Sequence, residues 1–252
     1  MKIGIKDDRE LKLMRESGRI LGIILHKLEK MIAPGISCLD LDREAARLMK
    51  KFNVKPSFKG YGGFPANICT NVNDQVVHGI PGAAILKEGD IITIDCGINY
   101  EGFHSDSAIQ VGVGKIDEKT KKFLLTAEKA LYKAIDMARP GVRIGKISAV
   151  IQSTVEKKGY SVVRELVGHG IGKSVHEDPP VPNFKDHDPG PVLRPGMTIA
   201  IEPIICMGKR DIKLARDGWT YVTKDGSLST QVEHTIAITE KGSEILTKRP
   251  KS

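Results

Sequence analysis

The sequence predicts an α+β fold in which two similar halves, each made of two helices followed by strands, meet at a cleft. Three observations predict it: an internal repeat of about 107 residues, helical spacing of apolar residues before each strand-rich region, and no strand–helix–strand alternation in either half. Because no Pro/Ser-rich linker joins the halves, we expect residues 1–252 to form a single domain, divided near residue 113 into 1–113 and 114–252.

The repeat is defined by two pairs of landmarks. Residues 86–95 and 193–202 both read Leu-x-x-Gly, then an alternating apolar run, then a carboxylate, and they are 107 positions apart. Upstream, Pro34-Gly35 and Pro140-Gly141 are 106 positions apart. Pro-Gly and Leu-x-x-Gly are also common at turns and at the ends of helices and strands, so a chance match is the alternative. The nearly equal offsets favour a duplication.

The helices of each half are predicted from apolar spacing and from their ends. Asp7 and Glu10 are placed as a capping pair for the first helix, and Gly159 is a natural stop for the last one. Since proline cannot continue a helix, each Pro-Gly is expected to end the first helix of its half. The predicted helices are residues 11–32, 37–52, 124–138 and 144–158.

Composition and charge restrict the class of protein. Hydrophobic residues make up 40% of the chain, and the sequence contains no apolar run long enough to span a membrane. The four cysteines are far apart and form no CxxC pair, which argues against a zinc finger or a disulfide framework and favours the cytoplasm. The basic residues that give the net charge of +8 are scattered along the chain. The charge is therefore compatible with an ordinary solvated surface and also with binding to a nucleic acid.

Two aspartates lie on strands that are predicted to form a hairpin. Residues 91–98 and 103–111 flank a turn at 99–102, and a hairpin centred between Tyr100 and Glu101 places Asp95 directly opposite Asp106. Opposed carboxylates repel each other unless a proton or a cation lies between them. Thr93 shares a strand face with Asp95, so we expect it to support that carboxylate from behind.

Three side chains of the second half complete a set of candidate metal ligands. Glu202 ends the apolar run 197–201, Glu233 begins another apolar strand, and His169 lies between glycines that leave room for a ligand. Such an oxygen-rich set with one imidazole suits Mn, Fe, Co or Zn, and pairs of these ions are common in hydrolases. Spacing alone leaves open that these acids are ordinary charges at strand ends.

Seven short motifs resemble those of the type I methionine aminopeptidases, which have the "pita-bread" fold, and the resemblance covers essentially the whole chain. The fold it implies has two pseudo-symmetric halves, with helices on the outer face of a curved antiparallel sheet. The motifs are Val77-His-Gly-Ile-Pro81, Asp95-Cys-Gly97, His104-Ser-Asp106, Gly168-His-Gly-Ile-Gly172, His176-Glu-Asp-Pro179, Ile201-Glu-Pro203 and Gln231-Val-Glu-His-Thr235.

The resemblance implies removal of the initiator methionine from new polypeptides that carry a small second residue. It implies two divalent ions per chain, with Co, Mn, Fe and Zn as candidates. Glu202 would transfer the proton during hydrolysis, in addition to binding metal. His176 would stabilise the oxyanion and His78 would contact the scissile amide, and both would bind substrate. The implied metal ligands are Asp95, Asp106, His169, Glu202 and Glu233, with Asp95 and Glu233 reaching both ions.

A methionine side chain needs a narrow apolar pocket. By resemblance, Tyr61, Phe64, Cys69 and Trp219 line it. The family often has Phe where this chain has Val175, a departure that concerns the width of the pocket rather than the chemistry. The resemblance also implies a monovalent cation on backbone oxygens near Asn73 and Ser229.

The partners implied are nascent polypeptides with an N-terminal methionine. We expect a monomer in the cytoplasm that makes no membrane contact, and the basic charge suggests docking on the ribosome. The chain lacks the Cys/His-rich N-terminal extension of eukaryotic type I enzymes and the long insertion of type II enzymes, so a minimal bacterial-type enzyme is expected.

Two other functions stay open. Proline-directed relatives share the metal ligands but usually carry an additional N-terminal domain, whereas only a first helix is predicted here before the catalytic region. Other pita-bread proteins have lost the metals and bind partners such as RNA, whereas all five ligands are present here.

Overall fold

The helix pairs predicted for each half are present in the structure, a computed structural model that describes residues 3–250. Capping boxes begin the first two helices, with Asp7 and Ser37 as the N-cap residues, which confirms the predicted Asp7–Glu10 pair. The first helix of each half ends before its Pro-Gly, which forms the turn that follows. The helices are α1 (Asp8–Glu29), α2 (Cys38–Lys51), α3 (Glu118–Met137) and α4 (Ile144–Glu156).

The strands pair antiparallel throughout the described residues, which confirms the predicted fold class; they form four hydrogen-bonded sheets. The largest contains β8, β7, β9, β14 and β15, and a second contains β1, β2, β4 and β5. The strands are β1 (Lys55–Pro56), β2 (Cys69–Val72), β3 (Gln75–Val77), β4 (Ile91–Tyr100), β5 (Phe103–Gly112), β6 (Ser161–Val162), β7 (Gly168–Gly170), β8 (Glu177–Val181), β9 (Thr198–Ile201), β10 (Ile204–Cys206), β11 (Ile212–Leu214), β12 (Tyr221–Thr223), β13 (Ser229–Gln231), β14 (His234–Thr239) and β15 (Gly242–Ile245).

The two halves repeat the same local geometry at the landmarks of the sequence repeat. The N–H of Gly35 donates to the carbonyl of Leu86, and the N–H of Gly141 donates to the carbonyl of Leu193, both at 2.9 Å. Both glycines have left-handed backbones, with φ of 98° and 85°, which explains why glycine follows proline at each site. The repeat in sequence is therefore a repeat in structure.

Each helix pair packs one side of the molecule's core. Buried residues of α1 and α2 pack against β4, and buried residues of α3 and α4 pack against β9 and β14. Over residues 3–250, none of the helices combines the length and the apolar character that crossing a membrane requires.

The register of the hairpin β4–β5 differs from the predicted one by two residues. Asp95 pairs with Ala108, and Asp106 pairs with Gly97, so the predicted direct Asp95–Asp106 opposition is wrong. The turn has only two residues, Glu101 and Gly102, with φ of 48° and 88°, the signs that a tight turn between twisted strands requires. The two aspartates are instead diagonal neighbours on one face of the hairpin. Side chains in diagonal positions are still close enough to interact.

Candidate metal centre

The predicted site residues surround one cavity of about 590 Å³. Only Thr93 of that set lies outside its lining. The residues that were singled out from the sequence and line the cavity are Tyr61, Phe64, Cys69, His78, Asp95, Asp106, His169, His176, Glu202, Trp219 and Glu233.

Hydrogen bonds between the halves fix the carboxylates. The Asp106 N–H donates to Thr235 Oγ1 at 3.0 Å, and that hydroxyl donates to the Asp106 carbonyl at 2.7 Å. The Glu233 N–H donates to the Ala108 carbonyl at 3.0 Å. Because Asp106 belongs to the first half and Glu233 to the second, the position of each depends on the other half.

Asp106, His169 and Glu233 converge closely enough to hold one ion. One ligand atom from each lies within 4.8 Å of the others. His169 Nδ1 is 2.8 Å from the Gly170 carbonyl, which can only accept, so this nitrogen carries the proton and Nε2 is left as a ligand atom. Burial lowers the pKa of His169 to about 4, so its imidazole is neutral at physiological pH.

The two further histidines also line the cavity. The His176 ring stands edge-on to His169, with centroids 4.5 Å apart, and its Nδ1 is 3.0 Å from the Tyr61 hydroxyl. His78 has a left-handed backbone with φ of 57°, which is strained for a residue other than glycine. The side chain of Asn71 accepts from the next N–H, that of Gly79, at 2.8 Å and so holds this strained turn.

The apolar wall of the cavity consists of aromatic and aliphatic side chains. Phe64 and Trp219 pack edge to face with centroids 5.3 Å apart, and Cys69 pairs in register with Asp95. Val175, the residue at which the chain departs from the family pattern, is buried and does not line the cavity. The lining also includes residues that the sequence did not single out, because apolar side chains give no signal for a pocket: Phe58, Val77, Leu166, Val167 and Ile204.

The hydrogen bonds of Thr93 reach the other half of the chain, and its predicted support of Asp95 stays a prediction. Its hydroxyl lies 3.3 Å from Thr230 Oγ1 and accepts from the Gln231 N–H at 3.4 Å. Gln231 Nε2 in turn donates to Glu202 Oε2 at 3.0 Å. Thr93 therefore orients Glu202 through Gln231, a contact across the halves that strand alternation alone does not show.

Comparison with known proteins agrees with this geometry. The model of the family described as Metallopeptidase family M24 matches residues 12–240. The chain belongs to metallopeptidase family M24. This family uses divalent metal, and the cluster of Asp106, His169 and Glu233 lies inside the matched region.

Several M24 metallopeptidases resemble the chain over nearly its full length. Methionine aminopeptidase 1 of Bacillus subtilis (strain 168) is 50% identical over 243 residues, covering 96% of this chain and 98% of that protein. Methionine aminopeptidase of Escherichia coli (strain K12) is 41% identical over 251 residues, covering 99% of this chain and 95% of that protein.

Solved structures extend the comparison to the fold. The crystal structure of methionine aminopeptidase from Thermotoga maritima has a TM-score of 0.96 and 44% identity, covering 98% of this chain and all of that one. The prolidase from Pyrococcus horikoshii OT3 has a TM-score of 0.78 at 24% identity, covering 98% of this chain and 64% of that one. Prolidases therefore share the fold with this M24 chain.

The donor groups of this M24 chain fit divalent cations. Buried oxygens of Asp95, Asp106 and Glu233 have no hydrogen-bond partner among the described residues. Burying several unpartnered carboxylates together is costly unless protons or cations neutralise them. The fold nevertheless keeps Asp106 and Glu233 within 4.8 Å of a neutral histidine, which is the chemistry of a site for a hard or borderline metal ion.

Between about pH 4 and 7, Asp106 is expected to lower the stability of the metal-free M24 protein progressively as pH rises. Burial raises the pKa of Asp106 to about 7, and burial and neighbouring carboxylates raise the pKa values of Asp95, Glu202 and Glu233. The folded state therefore retains a proton on Asp106 that the unfolded state releases, so this group lowers the free energy of unfolding by up to about 1.4 kcal/mol per pH unit in that range. Buried His169 and His234, whose pKa values are lowered to about 4, act in the opposite direction.

Thermal unfolding of chelator-treated protein between pH 5 and 7 measures this effect. Asp106→Asn removes this group and keeps the histidines, so its melting temperature should rise relative to that of the parent as pH rises, and added Mn²⁺ should stabilise the parent most at the upper end of the range. A difference in melting temperature between the two proteins that stays constant or changes in the opposite direction would contradict the expectation.

Proposed function

We propose that the protein removes the N-terminal methionine from nascent proteins and peptides, favouring a small second residue, by metal-assisted hydrolysis. The observation that carries this proposal is the 41–50% identity, over nearly the full chain, to proteins named methionine aminopeptidase. The geometry agrees with it, because an apolar pocket adjoins a cluster of buried carboxylates in the same cavity.

Five side chains hold the metal in this proposal. They are Asp95, Asp106, His169, Glu202 and Glu233, which supply enough oxygen ligands for two divalent ions. Manganese, iron, cobalt and zinc all suit this set. The chemistry that such ions supply is Lewis-acid activation of water and of the peptide carbonyl.

The protein's own groups perform the proton transfer and the orientation. Burial raises the pKa of Glu202, and Gln231 fixes its carboxylate, so it is suited to take a proton from water and pass it to the leaving amine. His176 has its pKa lowered by burial and is neutral; if its Nδ1 accepts from Tyr61, its Nε2–H can donate to the developing oxyanion. His78 lines the same cavity and would contact the scissile amide.

Substrate selection follows from the walls of the cavity. Tyr61, Phe64, Cys69 and Trp219 would enclose the methionine side chain, whose sulfur makes favourable contacts with aromatic edges. Among the described residues of the lining there is no lysine or arginine, so no cationic side chain there repels a positively charged α-amine. A free N-terminus can therefore enter the cavity.

The wider setting is also a proposal. We place the enzyme in the cytoplasm, acting as a monomeric single domain without membrane contact, where new chains emerge. The net charge of +8 would help it dock on the ribosome, and such docking must weaken as salt is added. Backbone oxygens near Asn73 and Ser229 would hold a monovalent cation.

A peptide assay separates the candidate functions. Purified protein with Mn²⁺ or Co²⁺ is given Met-Ala-Ser and Ala-Pro peptides. Release of methionine from the first peptide alone is the expected result, whereas turnover of the second alone would identify a proline-directed enzyme. Cleavage of neither, together with RNA binding, would identify a binding protein and overturn the proposal.

A further inference from the structure

A buried lysine outside the metal site connects the N-terminal segment to the cavity wall. Lys6 lies in the segment before α1, and only 6% of its side chain is exposed. Its Nζ lies 2.7 Å from Glu177 Oε2, so the ion pair joins residues that are 171 positions apart. The backbone N–H of Lys6 donates to the Gly196 carbonyl at 2.8 Å, which fixes the start of the side chain.

The partner of Lys6 adjoins a residue of the proposed site. Glu177 directly follows His176, and its second oxygen, Oε1, accepts from the Ser174 N–H at 3.1 Å. One carboxylate thus closes the turn at residues 172–177 and anchors it to Lys6. The carbonyl of Gly172, at the other end of the turn, accepts from the His104 N–H at 2.7 Å.

Close packing surrounds this ion pair. A Cβ added to Gly172 would lie 2.7 Å from Lys6 Nζ and 2.8 Å from Glu177 Oε1, closer than real Cβ contacts come. The lysine side chain therefore occupies the space that a side chain at position 172 would take. A larger residue at position 172 would therefore have to displace the ends of the two ion-paired side chains.

A second lysine on the same turn provides a contrast. Lys173 Nζ is 2.8 Å from Glu10 Oε1, but its side chain is 71% exposed. Exposed ion pairs of this kind contribute little to stability. Removing one partner of a buried pair, in contrast, leaves a charge without solvation and is destabilising. Of these two links between the turn and the N-terminal region, the buried one holds the turn in place.

We propose that Lys6, acting through Glu177, is a positioning residue for the imidazole of His176. The ring is set by three contacts: the edge of His169, the hydroxyl of Tyr61 and the backbone of the turn that Glu177 closes. Tyr61 is itself half exposed, so the rigid supports of the ring are the largely buried His169 and the turn. The inference rests on the proposed function, in which His176 stabilises the oxyanion.

The test compares Lys6→Met with Lys173→Met, the matched change at the lysine of the exposed ion pair. In Lys6→Met we expect kcat for Met-Ala-Ser to fall about 10–100-fold, the usual cost of losing a group that orients a reactive one, with KM altered less than about twofold. Binding of a phosphinate isostere of Met-Ala, which resembles the tetrahedral transition state, should weaken in parallel. Mn²⁺ binding should not change, and Lys173→Met should match the parent in all readouts.

A second variant guards against loss of folding in Lys6→Met. Glu177→Gln keeps the shape of the side chain and weakens the ion pair, so it should show the same pattern of kcat loss to a smaller degree. The inference is overturned if kcat is unchanged in a folded Lys6 variant, or if the loss follows Mn²⁺ affinity.

The NMR signal of the His176 ring, assigned by its loss in His176→Ala, reports the position of the ring independently of turnover. We expect it to shift in Lys6→Met and not in Lys173→Met, and no shift in either variant contradicts the inference. A parent protein that releases no methionine contradicts the proposed function instead, and the ring signal still decides whether Lys6 positions His176.

Discussion

Asp106→Asn is expected to reduce methionine release from Met-Ala-Ser by at least about 100-fold, the upper end of the effect of losing a group that merely supports a metal ligand. Asp106 belongs to the cluster with His169 and Glu233, and its backbone is fixed from the other half of the chain. The amide retains the shape of the side chain but cannot supply the negative charge that a divalent cation requires. Peptide turnover measures the loss of activity, and calorimetric titration with Mn²⁺ measures the loss of metal binding.

Asp136→Asn is the matched control, because Asp136 is an exposed residue of α3 and does not line the cavity. It should leave both measurements at the level of the parent. The metal-free Asp106→Asn protein should be at least as stable as the metal-free parent, because one of several crowded carboxylates has been neutralised. Parent-like turnover in Asp106→Asn would rule out metal chemistry at this cluster.

His176→Ala is expected to lower kcat about 100–1,000-fold, the range typical for loss of one oxyanion donor. Mn²⁺ binding should persist, since His176 touches His169 only edge to face and contributes no atom to the three-residue cluster. Steady-state kinetics and Mn²⁺ titration together separate this variant from Asp106→Asn, in which both properties fail.

His187→Ala is the control for that change, because His187 lies in an exposed charged loop. Its kinetics should equal those of the parent. If His176→Ala kept the parental kcat, or lost its activity only through loss of Mn²⁺, the role given to His176 would have to be withdrawn.

Features that depend on local sequence were predicted well. The capping pair Asp7–Glu10, the four helices and the strands of the β4–β5 hairpin follow from periodicity and end signals a few residues long. The duplication was visible because Gly35 and Gly141 perform the same structural task in each half. Four of the carboxylates that line the cavity, Asp95, Asp106, Glu202 and Glu233, were found because they lie in or at the ends of apolar strands.

Features that depend on contacts distant in sequence were not predicted. The hairpin register was wrong by two residues because the left-handed backbone at Glu101 allows a two-residue turn, which the longer turn at 99–102 did not anticipate. Thr93 was assigned to Asp95, its neighbour on the strand, whereas its partners Thr230 and Gln231 lie in the other half. The link between Lys6 and Glu177 spans 171 positions and leaves no local pattern.

The account depends most on one claim, that the cavity is a divalent-metal site which releases N-terminal methionine. The direct measurement is methionine release from Met-Ala-Ser by protein stripped of metal with a chelator, before and after titration with Mn²⁺. We predict that release is absent in the stripped protein and returns as Mn²⁺ binds, with Asp106→Asn failing to recover. Equal release by the stripped and the reconstituted protein would contradict the claim.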